Sequence, residues 1–376
     1  MEIITFVFFG IILIYALFIG FLAYGFTKIK FFEPTNVTPI TRFSIVVPFR
    51  NEAENLPNLL HSFSRLDYPK DMFEVLFVND SSDDLSVKII NEFQVSNFNF
   101  SVIENIRISS SPKKDAITSA IKLARNEWIL TTDADCYVNE NWLKVLDAYI
   151  QENNPEMIAG AVSFFTGESF LHHFQQLDLM SLQGATIGSF GLEKPFMCNG
   201  ANFAYTKNLF NKINGFEGNN KIASGDDVFL LQKALLDNYF GAIKVHYLKT
   251  ESNIVLTKAE ESWKSLINQR IRWASKAAAY KNNFGKVTAL IVFTGNLSIT
   301  LSFFLTLFSL FSFWNWYLLF AIKIMIDFLI LYQTGKFIKP QSVKFFLISN
   351  LWYPFFCVFV AFSSFFGSYE WKGRKH

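Results

Sequence analysis

Cysteine is scarce and scattered, with Cys136, Cys198 and Cys357 as the whole complement. Neither a disulfide framework nor a zinc spacing can be drawn from them, which agrees with a reducing compartment. Charge bias is lacking too: 34 Lys and Arg against 32 Asp and Glu leave a net charge of +2. With 51% hydrophobic residues, that balance excludes a disordered tail protein and a basic nucleic-acid binder. No GxGxxG or Walker loop is present, which removes the dinucleotide and P-loop modes of phosphate binding. Internal repeats and low-complexity tracts are absent as well. The most informative scarcity is local. Residues 1–26 hold Glu2 as their one charge, 287–332 hold Lys323 and Asp327, and 345–369 hold none. Outside those stretches, charge density is ordinary for a soluble domain. The chain reads as a membrane protein carrying one soluble domain.

Ile4 to Phe26 is an unbroken apolar run, long enough to cross a hydrocarbon core of about 30 Å as a helix. No Lys or Arg precedes it and Lys28 and Lys30 follow it, so it reads as a spanning anchor with the following chain on the cytoplasmic side. Val287 to Tyr332 reads as a hairpin of two spans, with Trp314, Trp316 and Tyr317 as an interfacial belt near its turn. Phe345 to Phe366 is a third apolar segment, expected to be broken at Pro354 and so re-entrant or partly interfacial. A full crossing there would leave the Lys336, Lys339 and Lys344 loop inside but the basic tail Lys372, Arg374 and Lys375 outside. Lys323 and Asp327, four residues apart in one span, read as an ion pair facing neighbouring helices.

From Ser44 onward short apolar strands alternate with helical stretches, which predicts an α/β fold with a parallel sheet covered on both faces. In such sheets ligands bind beyond the carboxyl ends of the strands. The first strand delivers Pro48 to Glu52, the second Asn79-Asp80 and a Ser-Ser-Asp-Asp run, and a later one Asp133-Ala-Asp135. Two carboxylates flanking one small residue converge on a point and need a cation, and hard oxygen ligands favour Mg²⁺ or Mn²⁺ shared with a substrate diphosphate. Asp80 stands where a carboxylate accepts bonds from a base or ribose, and Ser82 or Asp83 is expected to cap the next helix. Asp226 and Asp227 precede an apolar helix and offer either an N-cap or a general base for an incoming hydroxyl. Gln269, Arg272 and Trp273 share a helix surface, offering an amide, a guanidinium for phosphate and a stacking ring. The same helix also reads as interfacial, with Lys264, Arg270, Arg272 and Lys276 facing anionic headgroups and Trp263 and Trp273 as anchors. His246 reads as a structural histidine.

Taken together these pieces resemble the membrane-bound family 2 glycosyltransferases, the group that includes cellulose, chitin and hyaluronan synthases and ceramide glucosyltransferase-like enzymes. The matching motifs run in the family's order: Val47-Pro48 with Asn51-Glu52, Val78-Asn79-Asp80, Lys113-Lys114, Asp133-Ala-Asp135, Asn199-Gly-Ala-Asn202, Gly225-Asp226-Asp227 and Gln269-x-x-Arg272-Trp273. Trp371-Lys-Gly-Arg374 looks like the tail of many bacterial members. The resemblance implies a GT-A, Rossmann-like cytosolic domain over residues 40–280, an anchor at 1–30, a C-terminal membrane region at 286–369 and a basic tail at 370–376. It implies an integral protein of a bacterial inner membrane. The implied activity is inverting transfer of a sugar from a nucleotide sugar, commonly a UDP-sugar, to a lipid-linked or membrane-embedded hydroxyl. The alternatives are a processive polysaccharide synthase and a non-catalytic scaffold retaining the fold. Asp227 would be the base. Pro48, Glu52, Asp80, Lys114, Asp133 and Arg272 would meet the donor, and Asp133 with Asp135 the metal. Asn199, Gly200, Asp226, Gln269 and Trp273 would meet the acceptor. Asp226 departs from the family's Glu at its position.

Overall fold

The computed structural model describes residues 2–93, 98–219, 222, 224–236, 243–276, 279–338, 344–366, 370, 371, 374 and 375. In chain order its elements begin with α1 (Glu2–Lys28), β1 (Phe43–Phe49), α2 (Leu56–Ser64), β2 (Phe73–Asn79), α3 (Ser86–Asn91), β3 (Asn99–Glu104), α4 (Pro112–Leu123) and β4 (Trp128–Thr131). They continue with α5 (Trp142–Asn153), β5 (Met157–Gly160), β6 (Val162–Phe164), α6 (Phe170–Gly191), β7 (Phe203–Thr206), α7 (Lys207–Lys212), α8 (Asp226–Leu236), β8 (Val245–Leu248) and β9 (Val255–Thr257). Helices α9 (Trp263–Ala274), α10 (Asn283–Leu307), α11 (Phe313–Ile338) and α12 (Phe346–Phe366) follow, then the short pair β10 (Glu370–Trp371) and β11 (Arg374–Lys375). Lys339, Lys372 and Gly373 lie outside the described residues.

Seven strands form one sheet in the order β3-β2-β1-β4-β7-β5-β8. β1 to β4 are parallel, with Val46 opposite both Leu76 and Thr131. The near-continuous apolar runs of β1 and β2 follow from this, because both faces are covered. Ile45 and Val47 point to one layer, against Leu59, Leu60, Phe63 and Trp142, while Val46 and Val78 point to the other, against Ala116, Ala120 and Leu230. The expected all-parallel sheet is corrected at β7, which runs antiparallel to β4 and β5. Its chain enters from the carboxyl end of β4, where the Thr131 hydroxyl donates to Gly200 O at 2.8 Å. A strand beginning there can only run back along its neighbour.

The second of these layers continues without a break into α1, through Ile19, Leu22 and Phe26. Helix α6, which the alternation of strands and helices does not announce, makes the join. A Cβ on Gly188 would stand 2.3 Å from Leu22 O, and one on Gly25 2.2 Å from Gly188 O. Only glycine on both helices permits backbones to cross this closely. Among the described residues four helices are long and apolar enough to cross a membrane: Glu2–Lys28, Asn283–Leu307, Phe313–Ile338 and Phe346–Ser364. The expected break at Pro354 is not there, and α12 is one helix with the proline inside it. A proline removes a single backbone bond, and neighbouring helices in a packed bundle make that tolerable. The α10–α11 hairpin turns just before Trp314, which is exposed.

Candidate active site

Asp80 follows β2 and is buried, and three side-chain donors meet its carboxylate. The Arg107 Nε donates to Oδ1 and Nη2 to Oδ2, both at 2.7 Å, and Asn105 Nδ2 adds a third bond to Oδ1 at 2.8 Å. The bidentate geometry fixes the plane of the carboxyl group. The preceding loop is tied to the same place, since Arg50 Nη1 donates to the carbonyls of Asp80 and Ser81 at 2.8 and 2.6 Å. Pro48 and Glu52 line the adjoining cavity, and Glu52 accepts from Asn55 Nδ2 at 2.6 Å. The expected cap by Ser82 or Asp83 is corrected: Ser82 Oγ accepts from Asn51 N, and Asp83 N donates to Asn51 Oδ1. Asp84 instead accepts from the backbone of Ser86 and Ala53, both at 3.0 Å.

The acidic cluster gathers three remote parts of the chain. Asp133 and Asp135 follow β4, Lys113 opens α4, and Asp226 and Asp227 form the first turn of α8, the positive end of its dipole. Lys113 Nζ sits 2.6 Å from Asp133 Oδ1 and 3.4 Å from Asp226 Oδ2. Burial disfavours the Lys113 charge, but Asp133 and Asp226 outweigh it and hold its pKa above the ordinary value. Burial likewise pushes the Asp226 carboxyl above the usual carboxylate range, with Lys113 opposing and Asp227 adding. Asp227 Oδ2 accepts the backbone N–H of Gly200 at 2.9 Å, and Oδ1 that of Val228 at 2.7 Å. Asn199 Oδ1 accepts from Ala201 N at 3.0 Å, which shapes the turn presenting Gly200.

Lys114 does not join this group. Its Nζ donates to the carbonyls of Asn219 and Ile222 at 2.8 and 2.9 Å and lies 4.9 Å over the Phe229 ring. Burial draws its pKa down to about 8. One residue along a helix is a turn of about 100°, so the two adjacent lysines face different surroundings. Lys276, expected at the headgroups, lies beside the cluster: burial lowers its pKa, Asp227 opposes that and Arg272 adds to it. Asp133 and Asp135 supply two carboxylates, and among the described residues no group of three His, Cys, Asp or Glu side chains is placed to hold a metal. Two carboxylates fit Mg²⁺ or Mn²⁺, which take one or two from protein and complete their shell with substrate phosphate and water.

Helix α9 presents Gln269, Arg272 and Trp273 to the cavity that the acids line. Arg270 turns inward instead of toward headgroups, with Nε 2.6 Å from Asp178 Oδ2 and both side chains buried. Its guanidinium lies 4.2 Å over the Trp273 ring and donates to Gln269 Oε1. Trp263, expected as an interfacial anchor, packs on Phe174 of α6 with centroids 5.1 Å apart. His246 is away from the cavity, and its Nδ1 meets the Tyr149 hydroxyl at 3.1 Å.

One cavity of about 1540 Å³ joins these parts. It runs from Asp80 and the acidic cluster past α9 to Tyr15, Asp327 and Tyr353 on the apolar helices, with Leu22, Ile330 and Val360 among its walls. Asp327 is held there by Lys323 Nζ at 2.5 Å and the Tyr15 hydroxyl at 2.6 Å. Sequence reasoning missed Arg107, Asn105 and Asp178.

Comparison with known proteins bears on the family and the fold. The chain is 25% identical over 245 residues to probable glycosyltransferase YdaM of Bacillus subtilis, covering 64% of this chain and 56% of YdaM. It is 32% identical over 117 residues to poly(ribitol-phosphate) beta-N-acetylglucosaminyltransferase TarS of Staphylococcus aureus, covering 31% of this chain but only 20% of TarS. The chain therefore spans about a fifth of the one relative and about half of the other. The mannosyltransferase PcManGT from Pyrobaculum calidifontis, solved with GDP-Man and Mn²⁺, shares the fold over 97% of each chain at a TM-score of 0.59 and 14% identity. That fold is the mixed α/β, GT-A type, here with apolar helices at both ends. Residues 44–214, from the first strand through the acidic pair to the helix after β7, match the family model glycosyl transferase family 2 and are a domain of that family.

Proposed function

We propose that the chain transfers a sugar from a nucleotide sugar, a UDP-sugar in the first instance, to a hydroxyl of a lipid-linked or membrane-embedded acceptor, with inversion at the anomeric carbon. The observation that carries this reading is the single cavity linking the acidic cluster to Asp327 on α11. Asp327 lies eleven residues before the end of α11 at Ile338, which at 1.5 Å per residue is about 16 Å, roughly half of a hydrocarbon core of about 30 Å. An acceptor in the bilayer can therefore present a hydroxyl to the carboxylates without leaving its apolar surroundings. Residues 40–280 would be the catalytic part, facing the cytoplasm, and 1–30 and 286–369 the membrane part.

In this reading Asp80, fixed by Arg107, accepts bonds from the nucleoside, and Pro48 and Glu52 border it. Asp133 and Asp135 would hold Mg²⁺ or Mn²⁺, which when bound supplies charge neutralisation to the diphosphate. Arg272, with Lys276 nearby, offsets negative charge as the leaving diphosphate departs. Lys113 takes the place first given to Lys114, between Asp133 and Asp226. Asp227 takes the proton of the acceptor hydroxyl while its oxygen bonds to the anomeric carbon from the face opposite the breaking bond. Asn199 and Gly200 border that acceptor position, and Gln269 and Trp273 give it an amide and a ring. Asp226 holds Lys113 in place.

Membranes containing the protein, incubated with a panel of radiolabelled nucleotide sugars with and without Mn²⁺ and then extracted for lipid, test the proposal. One discrete labelled lipid is expected. A ladder of products would replace single transfer with polymerisation, the activity named for the poly-beta-1,6-N-acetyl-D-glucosamine synthase of Staphylococcus epidermidis, 30% identical over 98 residues. No transfer from any donor would overturn the reading and favour a scaffold.

A further inference from the structure

We propose that Asp178 of α6 is a positioning residue for the acceptor-facing surface of α9, acting through Arg270. This rests on the reading of Gln269 and Trp273 as that surface. Asp178 is 5% exposed and Arg270 5% exposed, and their ion pair is 2.6 Å long. The same guanidinium covers the Trp273 ring and donates to the Gln269 amide oxygen, while Gln269 Nε2 donates to Glu260 Oε1 at 2.7 Å. One planar fork thus sets the tilt of the ring and, with Glu260, the orientation of the amide. Its Nη2 is buried without a hydrogen-bond partner among the described residues, so the guanidinium is not held from every side and depends on Asp178 for its plane. The Gln175 side chain clips α6 to the chain before α9 as well, with Nε2 donating to Glu260 O at 2.9 Å and Oε1 accepting from Glu260 N at 2.8 Å. Helix α6 is also the one that crosses α1 at Gly25 and Gly188. The orientation of the acceptor surface is therefore referred, through Asp178, to the first membrane helix.

A buried pair of this kind is weak support for stability in itself, since apolar residues of like volume often replace it without loss. That separates a positioning role from a structural one. The test uses the full chain in detergent micelles, labelled with 5-fluorotryptophan, with the Trp273 fluorine line assigned through Trp273→Phe. Asp178→Asn and the double variant Asp178→Leu with Arg270→Met are each expected to move or broaden that line. The line of Trp142, whose indole donates to Asn202 Oδ1 at 3.2 Å in the sheet core, should stay in place. With added lipid extract as acceptor source, Asp178→Asn should raise the half-saturating amount about tenfold, change kcat by no more than about twofold, and leave UDP affinity as it was. Asp178→Glu should recover most of the loss. A Trp273 line at its wild-type position in the folded double variant would overturn the proposal, as would an unchanged half-saturating amount. If the wild-type chain transfers no sugar at all, the proposed function falls while the fluorine spectra still decide this point.

Discussion

The backbone N–H of Gly200 donates to Asp227 Oδ2 at 2.9 Å, so the turn before β7 orients the carboxylate that opens α8. A Cβ on Gly200 would lie 3.0 Å from Asp226 Oδ2, 3.4 Å from Asp227 Cβ and 3.5 Å from Lys113 Nζ. A Cβ there forces Asp226 to give by a few tenths of an ångström, and Gly200→Ala should misplace the carboxylates and lower transfer about tenfold to a hundredfold. Asp227→Asn should lower it by about two to four orders of magnitude while UDP binding stays near normal, as expected for a lost general base. Steady-state transfer rates beside calorimetric UDP titrations check both. Equal loss from Asp226→Asn and none from Asp227→Asn would move the base to the neighbouring residue.

Asp226, raised by burial and lowered by Lys113, predicts a pH dependence. If its charge is needed to keep Lys113 in place, transfer falls as pH drops through a value above the ordinary carboxylate range. Lys113→Met removes that requirement, so the acid limb of the kcat/KM profile that reports Asp226 should vanish in this variant, at a lower overall rate. An acid limb unchanged in Lys113→Met contradicts the assignment. Lys114 contributes to stability with the opposite sense. Its pKa is lowered to about 8 in the fold against about 10.4 when unfolded. Between those values the unfolded chain binds the extra proton, so stability should rise with pH across that window and the rise should vanish in Lys114→Met.

Arg107 meets both oxygens of Asp80 at 2.7 Å, and its loss frees the carboxylate to rotate. Arg107→Leu should weaken UDP binding about tenfold, within the range for a charge-assisted hydrogen-bonded pair. The far cluster is untouched by this change. The rate at saturating donor should therefore stay within about twofold, and a fall in kcat without a change in UDP affinity would count against the placement of Asp80.

Residues at the carboxyl ends of β1, β2 and β4 were legible because short apolar strands mark their own ends, and the polar residues there stand out against them. What depended on rotation or direction was not. Lys113 and Lys114 look alike in a helix, and only the packing of Lys114 under Asn219 and Ile222 separates them. Arg270 and Arg272 look equally alike in sequence, and only the fold shows that Arg270 is the one paired with Asp178. Strand alternation carries no sense of direction, so the reversal of β7 was hidden. Arg107 stands in an Ile-Arg-Ile run that offers no signal, since its partner is distant in sequence. Helix α6 had a sign in Ser169, whose side chain caps it by accepting from His172 N at 3.1 Å, but the following mixture of His, Gln and Leu hides its period.

That helix carries the last prediction, because it packs on α1 at a crossing of glycines. With a Cβ at Gly188 only 2.3 Å from Leu22 O, no rotamer change can relieve the clash, since the obstructing atom is backbone. Gly188→Ala must push α6 off α1 or bend one of them, and overpacking of this kind costs about 1–3 kcal/mol. Gly10 of α1, the helix that Gly188 crosses, has nothing within 4 Å of its added Cβ and is the control. In detergent, Gly188→Ala should lower the midpoint of thermal unfolding by several degrees and expose α6 to protease, while Gly10→Ala should leave both as they were. Equal midpoints for the two variants would mean that the crossing is looser than the packing of Gly25 on Gly188 requires.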